Sequence, residues 1–218
     1  MKQPRRLTRR ESREATRAKL IEAAEKVFVR SGFDASSVER IAEAAGFSRG
    51  AFYSNFQNKD ELFIAVLNKK RLEIAGVLGE IFRRQPNAAK RLLAVRDWYV
   101  SQERQKPWVI LETEFTLRAL RNRAARTRLA SLREQELENY AALVAQHFSE
   151  TGLPMAHRPE TIALSLTAIV LGLGSLSLIE TDRDATKRFA AARNLVFNRL
   201  IGIEKAASAA KQRNQTDG

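Results

Sequence analysis

Apolar residues recur along this chain at helical rather than alternating spacing. Leu20, Ala24, Val27 and Phe28 fall at i, i+4, i+7 and i+8, the stripe that a helix buries along one side, and Gly32 follows as a left-handed stop. Ser36 precedes Glu39 by three, the spacing of a capping box, ahead of a short helix with an apolar face of Val38, Ile41, Ala42 and Ala45. Gly46 ends that helix. Ser48 caps another, running to about Phe56, and Asn58 with Glu61 opens a longer one through Leu62, Phe63, Val66 and Leu67. Beyond Phe82 the helices lengthen, punctuated by Pro86, Pro107, Pro154 and Pro159, and the pattern predicts them over about 88–104, 107–120, 122–150, 159–180 and 185–204. No stretch reads as a strand, so the expected fold class is all-α.

The two short helices between Ser36 and Phe56, joined at Gly46, have the form of a helix-turn-helix: a supporting helix, a glycine turn and a second helix short enough for a major groove. Ser48 puts a hydroxyl and free N–H groups at the start of the second helix, where a phosphate is favoured. Arg49 is the long donor nearest the groove floor. Gly50 lets backbone approach backbone, Tyr53 can donate to a phosphate, and Phe52 with Phe56 would anchor the helix inward. The plainer reading is a small helical bundle with ordinary caps.

Charge sharpens this picture. The 218 residues carry a formal +13, of which residues 1–60 hold +5 and residues 83–133 hold +9. Polyanions are therefore the first partners to consider, although a basic surface alone is often only a solvated face. There is no cysteine, which excludes disulfides, thiolate metal sites and cysteine nucleophiles, and His147 and His157 are too few for a histidine metal site. No catalytic constellation, phosphate loop or cofactor motif stands out, so neither an enzyme nor a cofactor is expected. The basic N-terminus lacks a signal peptide's apolar stretch, which makes the cytoplasm the default location. Residues 161–179 are uncharged, but seven of the nineteen are Gly, Ser or Thr and the flanks are Glu160 and Glu180, so a packed helix is expected there rather than a membrane span.

The run from Ser37 to Leu62, SVERIAEAAGFSRGAFYSNFQNKDEL, resembles the DNA-binding region of the TetR (TetR/AcrR-type) family of bacterial transcriptional regulators, and ATRAKLIEAAEKVFVRSGFDASS before it matches that family's first helix. The resemblance implies a homodimer that binds double-stranded palindromic operator DNA, usually as a repressor, and is released by a small-molecule effector in its C-terminal domain. It places operator contacts on Ser37, Ser48, Arg49, Gly50, Tyr53, Asn55 and Lys59. Two positions depart from common members: Asn55 stands where many have His, and Ala51 where many have Thr. The expected organisation is a basic arm over 1–14, a three-helix helix-turn-helix domain over 15–62, a helical ligand-binding and dimerisation domain over 63–204, and a disordered tail over 205–218. The arm, with Lys2, Arg5, Arg6, Arg9, Arg10 and Arg13, either follows the DNA or is a solubilising tail.

In the second domain the aromatics available to a pocket are Trp98, Tyr99, Trp108, Phe115 and Tyr140, each more readily read as core, since aromatics at helical spacing fill bundles anyway. Glu112 shares a helix face with Trp108 and Phe115, which would suit a cationic effector if that face is internal; a salt bridge from Glu112 or Glu114 to one of the arginines 118–128 is the favoured reading. The resemblance puts the last two helices at a four-helix dimer interface, with Leu171, Gly174 and Leu178 on one and Phe189, Val196, Phe197 and Leu200 on the other; part of this face is claimed by intramolecular core. Gly76 and Gly79 inside the helix after Asn58 mark a hinge or a close helix approach. The rival from the binding class is an architectural or nonspecific DNA-binding protein with no inducer.

Overall fold

The computed structural model describes residues 8–85, 87–100, 106–180 and 185–201; helical residues 88–89, 99–100, 185–186 and 201 are described by their backbone. Helices account for nearly all of it, and no strand occurs among the described residues. They are α1 (Arg9–Ser31), α2 (Val38–Ala44), α3 (Arg49–Tyr53), α4 (Lys59–Arg84), α5 (Ala88–Val100), α6 (Lys106–Arg121), α7 (Arg123–Thr151), α8 (Pro159–Ile179) and α9 (Ala185–Ile201).

The caps explain most boundaries. Thr8 starts α1 with a reciprocal capping box to Glu11, so Arg9, Arg10 and Arg13 of the expected arm are helical. The rest of that arm, Lys2, Arg5 and Arg6, and the tail over 205–218 lie outside the described residues. Gly32 and Gly46 stop α1 and α2 with φ of 78° and 75°, values that favour glycine. The cap of α2 is Ser37, whose hydroxyl accepts from the Arg40 N–H at 3.2 Å, and not the expected Ser36. Ser36 is buried instead, and its hydroxyl donates to the Phe33 carbonyl at 2.6 Å, which leaves it no reach to the helix.

Two compact units form. The first comprises Met1–Arg71 and Ile110–Leu132; the second comprises Leu72–Val109 and Arg133–Gly218. Helices α4, α6 and α7 contribute residues to both.

The first unit is built on phenylalanine. Phe28, Phe33, Phe63 and Phe115 are sealed from solvent. Phe63 stacks on Phe115 at 4.5 Å between centroids, while Phe33 meets Phe63 edge-on at 5.0 Å and Phe115 at 5.4 Å. Leu20, Ala24, Ile41, Phe52, Phe56 and Leu62 complete this core. The second unit centres on Leu78, Leu92, Val95 and Phe197, and on a neighbouring cluster of Ala141, Val144, Phe148, Ile162 and Ala163. There Arg91 is buried and paired with Glu150, and His147 is buried against the Phe148 ring. His157 is exposed in the connection before α8.

Candidate nucleic-acid interface

Helix α3 is only five residues long, far too short to be stable alone. Its inner side is fixed by Phe52 and Phe56, both buried with ring centroids 5.8 Å apart. Its C-terminal end is held by two arginines of α1. Arg13 donates to the Ser54 carbonyl at 2.9 Å, and Arg17 donates to the Asn55 carbonyl at 2.7 Å while its guanidinium lies 4.0 Å over the Phe56 ring. Cations at carbonyl ends also complement the helix dipole. Periodicity alone did not reveal these ties, because Arg13 and Arg17 look like solvated arm charge until α1 is folded against α3.

The outer side carries Arg49 and Tyr53 one turn apart. Both are exposed, with the Arg49 guanidinium 5.5 Å from the Tyr53 ring and 3.1 Å from the Glu39 carboxylate of α2. Tyr53 first, and Glu39 after it, hold the Arg49 pKa above its ordinary value. Glu39 lies below the usual carboxylate range, through its own backbone N–H first, against an opposing effect of burial, with Arg49 and then the Ser37 hydroxyl adding to the lowering. Ser48 caps α3 by accepting from the Ala51 N–H at 3.2 Å. Gly50 is exposed, and a Cβ there would meet only the Ser48 hydroxyl at 3.7 Å. Packing within the chain therefore gives no reason for a glycine; unobstructed backbone on the outer surface does.

Three of the expected contact residues serve the fold as well. Ser37 caps α2. Asn55 is half-buried: its amide donates back to the Ala51 carbonyl at 2.8 Å, and its Oδ1 is shut from solvent without a hydrogen-bond partner among the described residues. Lys59 reaches across the unit and donates to the carbonyls of Phe33 and Ser36, each at 2.7 Å, and more weakly to Asp34 at 3.4 Å. Burial pulls the Lys59 pKa down. A phosphate would have to draw that ammonium off three carbonyls, so its visible task is to fasten the α1–α2 connection.

Phe33 is the hub of that connection. Its N–H donates to the Glu114 carboxylate of α6 at 2.7 Å, and its ring lies beneath the Lys59 ammonium at 4.4 Å and the Arg118 guanidinium at 5.2 Å. Arg118 pairs in turn with Asp60 at 2.7 Å. The salt bridge expected between Glu114 and a nearby arginine is thus replaced by a bond to main chain. Sequence spacing could not show it, because 81 residues separate the partners.

The effector residues expected from sequence divide between the two units. Phe115 is wholly buried in the phenylalanine core of the first unit and is no wall of a pocket in the second. Glu112 belongs to the first unit and Trp108 to the second, so the shared cation-binding face does not form a site within one unit. Trp98 and Tyr140 do pack about the second unit's core, half-buried, with the Tyr140 hydroxyl 3.3 Å from Glu136. The Tyr99 side chain lies outside the described residues.

The expected dimer face of α9 is shared with core, as the sequence allowed. Phe197 is 3% exposed and sits inside the second unit's core, where Leu200 packs beside it, and Phe189 and Val196 are half-buried. The outward apolar residue of α9 is Leu195. On α8, Leu171 and Leu178 are half-buried, and Gly174 is backed by Val109. Leu164, Ala168, Gly172, Ser175 and Ile179 form the exposed stripe instead, without a single charge. By length and composition α8 could cross a membrane.

Residues 20–66 match the model described as bacterial regulatory proteins, tetR family. Among curated proteins, the uncharacterised HTH-type transcriptional regulator YwcC of Bacillus subtilis is 34% identical over 80 residues, 37% of this chain and 36% of its own length. The HTH-type transcriptional regulator TtgR of Pseudomonas putida is 48% identical over 63 residues, 29% of this chain and 30% of its own. The chain thus matches about a third of the length of these relatives, and the family match runs from within α1 to within α4. The whole fold is shared more widely. A TetR-family regulator structure from Mesorhizobium loti superposes with a TM-score of 0.70 at 18% identity, covering 90% of this chain and 98% of that one. FadR of Bacillus subtilis, solved in complex with stearoyl-CoA, gives 0.63 at 17% identity, covering 84% and 97%. These relatives and neighbours are transcriptional regulators, not enzymes.

Proposed function

Because this chain belongs to the TetR family of bacterial regulatory proteins, we propose that it binds a palindromic operator as a homodimer and represses transcription until a small molecule releases it. The observation that carries the reading is the outward face of α3. Arg49 and Tyr53 stand exposed one turn apart beside the bare backbone of Gly50, on a helix held rigidly from behind by Arg13 and Arg17. Arg49 supplies the bidentate fork that suits a guanine edge or a phosphate, and Tyr53 a neutral donor. Ser48 and Ser37 offer hydroxyls at helix starts that border the same surface. Lys59 and Asn55 act chiefly by setting the geometry of that surface.

One five-residue helix buries too little surface for tight, specific binding, so a second copy is part of the proposal. Two recognition helices about 34–36 Å apart meet successive faces of a major groove. The uncharged stripe of α8 and Leu195 of α9 give that second copy its surface: Leu164 is 57% exposed, Ile179 79% and Leu195 71%. Apolar area of this kind is rare on a monomer and marks an interface. In this reading α8 is covered by a partner helix rather than by lipid, and the protein works in the cytoplasm, where its DNA is.

The effector belongs to the second unit. A small molecule that favours one arrangement of the dimer over another shifts operator affinity only by its differential affinity for the two. The complex of FadR with stearoyl-CoA supports an effector site in this architecture.

Selection from a random pool of duplex DNA tests the proposal. One inverted repeat should emerge, and Arg49→Ala should weaken binding to it by about 1–3 kcal/mol while leaving the fold intact. Enrichment of composition without any repeat would instead favour an architectural DNA-binding protein.

A further inference from the structure

Arg193 interrupts the inward side of α9. It lies four residues before Phe197 and seven before Leu200, so all three share one face, and that face packs into the second unit's core. Its Nε is shut off from solvent and has no hydrogen-bond partner among the described residues. Next along the helix, the Oδ1 atoms of Asn194 and Asn198 are shut off and unpartnered in the same way. Among the described residues no carboxylate pairs with this half-buried arginine: burial alone acts on it, pulling its pKa below the ordinary arginine value. Elsewhere in this unit arginines are matched, Arg91 with Glu150 and Arg188 with Glu180. A guanidinium partly withdrawn from water with no carboxylate beside it is suited to an anionic partner.

The apolar surroundings are loosely closed. Around the cluster of Leu78, Leu92, Val95 and Phe197, the side chains of Trp98, Leu166, Ile169 and Val170 are only partly buried, whereas the phenylalanines of the first unit are sealed. A protein interior is normally packed to the density of an organic crystal, so apolar surface left open beside a half-buried cation suits a guest with both characters.

We propose that the second unit binds an amphipathic anion, with a carboxylate or phosphate head on Arg193 and an apolar body against Trp98, Leu166 and Ile169. The inference rests on the effector-responsive reading above.

Four probes of equal chain length test it on the full protein: decanoate, decyl phosphate, decanol and decyltrimethylammonium. Binding is followed by calorimetry and by thermal shift, and release by displacement from the selected operator. Decanoate or decyl phosphate should bind at least about tenfold more tightly than decanol, and the tighter of the two names the head group; decyltrimethylammonium should not bind. Arg193→Met should lose that preference, still bind operator, and melt no lower than the parent, because the half-buried guanidinium has no carboxylate partner to lose. Arg193→Lys should keep part of the preference. Equal binding of the alcohol or the cation, no binding of either anion, an unchanged preference in Arg193→Met, or marked destabilisation by Arg193→Met would each overturn the inference. A protein that selects an inverted repeat but ignores all four probes loses this inference alone. One that binds anions through Arg193 yet selects no DNA keeps it and loses the regulatory reading.

Discussion

Gly32→Ala should damage the DNA-binding unit by two routes that meet at one carboxylate. Gly32 holds φ 78° and ψ 168°, a region open almost only to glycine, and an alanine there costs about 1–3 kcal/mol in backbone strain. The added Cβ would lie 3.1 Å from Glu114 Oε1 and 3.3 Å from Oε2, so the carboxylate must retreat by a few tenths of an ångström. That retreat weakens its 2.7 Å bond from the Phe33 N–H, a charge-assisted hydrogen bond worth about 1.5–3 kcal/mol when lost entirely. Taking part of the second figure, the total is about 2–4 kcal/mol, a large share of the 5–15 kcal/mol typical of a domain. Urea unfolding followed by circular dichroism, at fixed protein concentration because dimerisation contributes, measures it. Glu114→Ala supplies the control. Since both changes strike the same bond, the double variant should cost less than the sum of the singles. Full additivity, or a Gly32→Ala cost below about 0.5 kcal/mol, would refute the shared carboxylate.

Arg17→Ala should cost about 1.5–3 kcal/mol and weaken operator binding, through loss of the tie to the Asn55 carbonyl, in unfolding and gel-shift measurements. Gly76→Ala with Gly79→Ala should stabilise α4 by about 1 kcal/mol each, since a Cβ at either meets nothing within 4 Å; if α4 flexes there, release by effector should be blunted in the same variant. Glu150 is held below the usual carboxylate value, first by the Gln146 amide and then by Arg91. A folded pKa below the unfolded one gives stability that is present above about 4.5 and lost as pH falls through the lower, folded value. Glu150→Gln should therefore flatten the acid limb of the stability profile. Leu195→Asp with Leu164→Asp should yield monomers in sedimentation at micromolar concentration, with operator binding lost.

The helices were legible because their apolar spacing and caps agree, and the five long ones past Phe82 fall within a few residues of their expected spans. Ser37 displaced Ser36 as a cap because burial of Ser36 against the Phe33 carbonyl is a tertiary event that local spacing does not encode. Phe115 looked like a pocket residue for the same reason: an aromatic at helical spacing fills whichever core the fold brings to it. On α9, both Phe197 and Leu195 are apolar, so periodicity could not say which side meets its own chain. Arg193 escaped notice among the other basic residues. A charge on the inner side becomes visible only once the helix has neighbours.

The grip on α3 has an evolutionary consequence. Arg13 and Arg17 seize main-chain oxygens of Ser54 and Asn55, and those atoms exist whatever side chains the helix carries. Positions 49, 51 and 53 can therefore vary without tilting the helix, so a lineage could acquire a new operator by a few substitutions while its scaffold stays as it was.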